Sequence, residues 1–211
     1  MSMTRRTIGC LAATLLSFAA LGVQAQAKAP EALIKEVSTD VLEAVKADKT
    51  IQAGDIRKVI ALVDQKVLPY VNFQRMTASA VGRYWKQATP DQQKRLQDEF
   101  KLLLVRTYSG ALSQVSSEQT VELRPMRAAA TDNEVVVRTE IKGKGDPIQL
   151  DYRLEKAGDG WKIYDVNVLG VWLVENYRNS FAQEIGANGI DGLIAKMAER
   201  NKSAAAAGAK S

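Results

Sequence analysis

Apolar residues recur at helical spacing through the first half of the chain and at alternate positions through much of the second. Leu33, Val37, Val41 and Val45 set a three-to-four-residue period over residues 31–47, which predicts a helix with one buried stripe. Ile56, Val59, Ile60, Val63 and Val67 repeat that period behind Asp55, a residue suited to cap a helix N-terminus. Pro69 ends the segment. Residues 72–86 carry Phe73, Met76, Val81 and Trp85 and read as one or two short helices. Thr89-Pro90-Asp91-Gln92 is a strong helix start: Thr89 can cap, Pro90 fits the first helical position, and Gln92 completes a capping box. The helix so begun places Leu96, Phe100, Leu103, Leu104, Thr107, Tyr108 and Ala111 along one broad face, and we expect it to run to about Leu112.

The period then falls to two. Thr120 to Met126 is a candidate strand. From Glu134 to Lys142, Val135, Val137, Thr139 and Ile141 point one way and their neighbours the other. After a turn at Gly143-Lys144-Gly145-Asp146, Ile148, Leu150, Tyr152 and Leu154 line one face of the next strand. A second turn, Ala157-Gly158-Asp159-Gly160, leads into Trp161 to Val168. Four strands joined by short turns predict an antiparallel meander. Gly170 to Ile185 returns to helix, with Leu173, Val174, Tyr177, Phe181 and Ile185 on one side, and Gly189 to Met197 reads as a last short helix. Residues 201–211, rich in Ala, Lys and Ser without apolar period, are expected to be a disordered tail. The expected architecture is α+β, with one four-stranded antiparallel sheet packed against several helices in a single domain over residues 26–200.

The N-terminus changes the picture of where this domain works. Arg5 and Arg6 precede an apolar run from Ile8 to Val23, and Val23-Gln24-Ala25 offers small residues for cleavage. We read residues 1–25 as a signal peptide, with cleavage after Ala27 as the alternative, and expect a periplasmic protein. Thr4-Arg5-Arg6 leaves the general and twin-arginine export routes both open. Cys10, the only cysteine, lies inside this segment and ahead of most of its apolar run, so neither a lipoprotein anchor nor a disulfide is expected in the mature chain.

Composition narrows the chemistry. There is no histidine, which removes Ser-His-Asp triads, Cys-His pairs and most zinc sites. Losing Arg5 and Arg6 would take two charges off the net +5, leaving no basic stripe of the nucleic-acid-binding kind. No metal, cofactor or nucleic-acid partner is expected. One catalytic alternative stays open: Asp151 and Asp165 sit in neighbouring strands beside Tyr152 and Tyr164, and acid–tyrosine pairs serve as acid–base groups in some cone-shaped α+β folds. The conspicuous excess is apolar. By composition alone an ordinary filled core is the favoured reading of that excess, and periodicity does not distinguish it from a lined cavity.

Several ordered blocks bear on that choice. Phe73-Gln74-Arg75-Met76, Gly82-Arg83-Tyr84-Trp85, Thr89-Pro90-Asp91-Gln92 and Glu99-Phe100 through Arg106-Thr107-Tyr108 resemble the MlaC family of periplasmic phospholipid-binding proteins, once described as toluene-tolerance proteins. So do Trp161-Lys162-Ile163-Tyr164-Asp165-Val166, then Gly170-Val171-Trp172-Leu173-Val174, and Asn176-Tyr177-Arg178 leading into Phe181. The resemblance spans roughly residues 31–197. It implies a fold related to the nuclear transport factor 2 class with extra helices, enclosing an apolar lipid cavity between helices and sheet. It implies a non-enzymatic carrier that shuttles diacyl phospholipids and maintains outer-membrane lipid asymmetry. Its implied partners are an outer-membrane lipoprotein complex and an inner-membrane ABC transporter with a hexameric lipid-handling subunit.

Given such a cavity, the helices are expected to supply Phe73, Met76, Trp85, Phe100, Leu104, Tyr108, Tyr177 and Phe181 to its wall. The strands are expected to supply Val135, Val137, Thr139, Leu150, Tyr152, Val166 and Val168, with Val171 and Trp172 at the last strand-to-helix junction. Trp172 departs from the family pattern, where a small residue such as serine is commoner. It is expected either at the cavity mouth or filling a gap in the core.

Overall fold

The computed structural model describes residues 28–126 and 131–208. The expected signal peptide lies outside them.

Local capping chemistry starts most of the helices. Helix α1 (Pro30–Ala47) opens on proline and buries Leu33, Ile34, Val37, Leu42 and Val45. The single turn α2 (Lys49–Gln52) is capped by Asp48, and α3 (Ile56–Lys66) by Asp55, whose carboxylate accepts from the Arg57 and Lys58 amides. A 3-10 turn, Leu68–Tyr70, leads to α4 (Phe73–Val81), capped by the Asn72 side chain. Gly82 ends α4 at φ 66° and begins a 3-10 segment to Gln87. Helix α5 (Pro90–Tyr108) carries the capping box expected of Thr89 and Gln92, with both reciprocal hydrogen bonds formed. Beyond Tyr108 the backbone tightens into a 3-10 segment, Ser109–Gln114, so the expected last turn to Leu112 is 3-10 instead of α.

One antiparallel sheet follows, in the order β1 (Thr120–Leu123), β2 (Glu134–Lys142), β3 (Ile148–Ala157), β4 (Gly160–Val168) and β5 (Val171–Trp172). The expected apolar faces meet across the sheet. Val135 pairs with Leu154, Val137 with Tyr152, Thr139 with Leu150, and Ile141 with Ile148. A bulge between Arg153 and Leu154 inserts Tyr164 as an extra residue of β4.

The fifth strand corrects the expectation of four. Leu169 (φ 52°) and Gly170 (φ 91°) make a two-residue hairpin turn in which both residues take positive φ, as a type I′ turn requires. Val171 and Trp172 then pair with Val168 and Asn167 before the helix begins. Leucine is a poor predictor of this backbone, because its Cβ disfavours positive φ.

Helix α6 (Leu173–Gly208) breaks at Gly189, where φ 72° and ψ 179° suit glycine alone. It also runs past the expected tail boundary. Asn201 is buried and donates to the Glu99 carbonyl at 3.0 Å and the Glu99 carboxylate at 2.7 Å. That anchor, followed by helix-favouring alanines, extends the helix to Gly208; residues 209–211 lie outside the described residues.

Three apolar clusters hold these layers together. The helical core joins Met76, Leu96, Phe100, Tyr177, Phe181 and Ile194 from α4, α5 and α6. A second packs Leu33, Ile34 and Val37 of α1 onto Val135, Val137, Leu154 and Ile163 of the sheet. A third gathers Val45, Ile51, Val59, Leu62 and Val105.

Candidate functional site

Between these clusters lies an apolar cavity of about 360 Å³, within the roughly 300–1,000 Å³ usual for ligand sites. Strand alternation builds one wall: Ile141, Ile148, Leu150, Val166 and Val168 share a sheet face. Helical spacing builds the other. Lys101, Leu104, Val105 and Tyr108 project from α5, and Val63 from α3 with Val67 just beyond its end. Leu68, Val71, Phe73 and Met76 line the cavity as well. Ala111, Leu112, Gln114, Val115 and Gln119 form a flank, and Leu173 completes the wall. Among the described residues of this lining, only Lys101, Tyr108, Gln114 and Gln119 have side chains with nitrogen or oxygen atoms. Burial pushes the Tyr108 phenol above its ordinary pKa, aided by Tyr177, so it stays neutral at physiological pH.

Seven of the expected cavity residues line it: Phe73, Met76, Leu104, Tyr108, Leu150, Val166 and Val168. The others lie elsewhere, for identifiable reasons. Phe100 packs edge-on against Tyr177 and Phe181, with ring centroids 5.1 and 5.2 Å away, and Trp85 packs against the same helical core. Val135 and Val137 are covered by α1. Tyr152 packs against that second cluster and reaches the Ser38 hydroxyl at 3.2 Å. Thr139 is fully buried and donates to the Leu150 carbonyl at 2.9 Å. Val171 is exposed on the edge strand.

Trp172 occupies neither expected place. It pairs with Asn167, on the sheet face away from the cavity, and the Arg153 guanidinium stacks 3.9 Å from its ring centre.

The sequence reading missed Val63, Val67, Lys101 and the whole flank from Ala111 to Gln119. The period of α5 runs through both its cavity face and its core face, and nothing in the flank repeats. Ile141 and Ile148 were recognisable as members of the correct sheet face.

Asp151 and Asp165 lie on that same outer face, alternating with the cavity strand residues. Asp165 is 1% exposed and accepts from the Val166 and Val174 amides at 2.9 and 3.1 Å and from Arg153 at 3.0 Å. It thereby ties β4 to the first turn of α6. Burial pushes its carboxyl up, against the pull of the Val174 amide and Arg153. Asp151 accepts from Gln149 at 3.0 Å and faces Arg138. A wider depression on this outer face, about 560 Å³, is bordered by Asp132, Glu134, Arg138, Arg153 and Tyr164. Its mixed charges suit solvent more than a hydrocarbon ligand. Among the described residues no group of three or more acidic or thiol side chains is placed to hold a metal ion, and no helix is long and apolar enough to cross a membrane.

Residues 35–199 match the family model described as MlaC protein. The chain is 25% identical over 172 residues to the intermembrane phospholipid transport system binding protein MlaC of Haemophilus influenzae, covering 80% of each chain. It is 26% identical over 197 residues to toluene tolerance protein ttg2D of Pseudomonas putida, covering 90% of each. Among solved structures, a phospholipid-binding protein from Ralstonia solanacearum in complex with a phospholipid is 48% identical. That structure superimposes with a TM-score of 0.79, covering 83% of this chain and 98% of the other.

Proposed function

The chain belongs to the MlaC family, and on that premise we propose that it is a periplasmic phospholipid carrier. The observation that carries this reading is the hollow, nearly all-apolar space between α5 and the sheet. A filled core needs no such space, and a hydrolytic site would need polar groups converging on it. Asp151 and Asp165, the residues an enzyme of this fold would use, face away and are engaged with Gln149, Arg153 and backbone amides.

The energetics favour a carrier that docks. Two acyl chains hold roughly 30 methylenes, and burying them from water is worth about 24 kcal/mol at about 0.8 kcal/mol each. That gross gain exceeds the usual ceiling on noncovalent affinity before costs are subtracted. A bilayer buries the same chains equally well, so exchange between membrane and protein is close to balanced while release into water is not. A shuttle built this way hands lipid directly to its partners. On the proposed reading these are an outer-membrane lipoprotein complex and an inner-membrane ABC transporter with its hexameric subunit, and the outcome is maintained outer-membrane lipid asymmetry.

The test is mass spectrometry on an organic extract of the folded protein purified without detergent. Diacyl phospholipid near one molecule per chain is expected. A protein that extracts clean and takes up no lipid from vesicles would sink the proposal.

A further inference from the structure

Among the described residues the cavity lining contains one formal charge, Lys101. We propose that Lys101 is the phosphate-contacting residue of this site, so that the cavity selects diacyl lipids bearing a phosphodiester over neutral diacyl lipids. The inference rests on the carrier reading above and adds which chemical group of the lipid is recognised.

Position supports it first. Lys101 precedes Leu104 by three residues and Tyr108 by seven, so all three lie along one face of α5, and all three line the cavity. A lysine stem can cover apolar wall while its ammonium stays in contact with water; the Lys101 side chain is 23% exposed. A lipid with its tails against Leu150, Val166 and Val168 has its polar end outside the apolar space. Of the described side chains on the wall, only Lys101 carries a positive charge to offer that end.

The bonding of Lys101 supports it next. The ammonium bonds Asp64 on α3 at 2.9 Å, across the seam between the two helices whose neighbouring residues form one side of the cavity. Asp64 is 43% exposed, and a pair this open to water contributes little to folding. An ammonium has three donors. One directed to Asp64 leaves capacity for a phosphate oxygen, with which lysine makes a strong charge-assisted bond. Because the phosphate is common to zwitterionic and anionic glycerophospholipids, the contact excludes neutral lipids without choosing among headgroup alcohols.

The test loads the wild-type chain and its Lys101→Met and Lys101→Arg variants from phosphatidylcholine vesicles doped with phosphatidylglycerol or diacylglycerol. Bound lipid is quantified by mass spectrometry, and thermal melts confirm folding. Lys101→Met should lower occupancy by both phospholipids about ten-fold at limiting lipid, the scale of one hydrogen bond to a charged group, and leave diacylglycerol occupancy unchanged. Lys101→Arg should restore most of the phospholipid binding. Parallel loss of all three lipids would make Lys101 merely part of the wall and overturn the inference, as would no loss at all. Competition by millimolar inorganic phosphate would overturn it in favour of a free-anion site. A wild-type chain that takes up none of the lipids would instead remove the carrier reading, and this inference with it.

Discussion

Helix α5 presents two apolar faces with different fates. Leu96, Phe100 and Leu103 meet residues from α4 and α6 and disappear into a solid core. Leu104 and Tyr108 look across a cavity toward the sheet. Phe73 touches both regions, lining the cavity with its ring centre 6.0 Å from that of Phe100. The two faces do not differ in hydrophobicity so much as in what stands opposite. Aromatic rings from α6 can reach across and interlock, whereas short branched chains on a sheet face leave space behind them. A cavity is thus a property of the pair of surfaces, and neither surface declares it alone.

The sharpest way to break this comparison is to truncate one residue on each face. Phe100→Ala should cost about 3–5 kcal/mol, as for other buried aromatics, while Leu104→Ala should cost under about 2 kcal/mol because Leu104 is only partly buried, packing against the core on one side and bordering the cavity on the other. Urea unfolding of both variants decides the matter, and equal losses would erase the distinction. Adding bulk should reverse the pattern. Ala80→Leu, in the helical core where Ala80 is fully buried, should cost about 1–3 kcal/mol through overpacking. Leu150→Trp should fill open space, change stability by under about 1 kcal/mol, and displace most bound lipid in an extraction assay. Retained lipid in Leu150→Trp would mean that the ligand lies elsewhere.

A smaller effect sharpens the contrast between the sheet's two faces. Trp172→Ser removes the contact with Arg153 and should cost about 0.5–2 kcal/mol, the range of a cation–π pair between exposed and desolvated settings, since Trp172 is half-buried. Lipid exchange between vesicles should be unchanged, and faster exchange would return Trp172 to the cavity mouth.

The smallest effect is a pH dependence. Hydrogen bonds from Arg75 and Tyr164 hold the Glu134 carboxyl below its ordinary pKa. Its contribution is therefore complete above that ordinary value and is lost as pH falls through the lowered one. Glu134 is largely exposed, so Glu134→Gln should flatten the acid limb of the stability curve by at most about 1 kcal/mol. An unchanged acid limb would show that the network contributes nothing.

Much of the fold was legible because it is written in local chemistry. The Thr89–Gln92 capping box, the Asp55 cap and the alternation from Val135 to Ile141 each act through neighbouring residues, and each appears where expected. The apolar faces expected of β2 and β3 are the ones that meet across the sheet. What stayed hidden depends on distant partners. The last strand needed a positive-φ leucine that no turn rule anticipates. The helix beyond Arg200 depends on Asn201 meeting Glu99. Within the site, Tyr108 and Phe100 share one helix and similar chemistry, and only the arrival of Tyr177 and Phe181 beside one of them separates wall from core.

The break at Gly189 has a bearing on the order in which the chain can fold. It turns α6 back so that Leu193, Ile194 and Met197 close the helical core, with Asp191 meeting Gln92 and Arg95 at 3.0 and 3.6 Å. A chain emerging from its N-terminus therefore holds Phe100 and its neighbours without their cover until the last helix is available. Loop closure from α5 to the C-terminal residues must precede the reward of those contacts, which slows folding relative to helices that pack on sequence neighbours. The meander, made of successive hairpins, needs no such wait. The sheet can assemble as it is made, and the helical half is completed only once α6 has followed it.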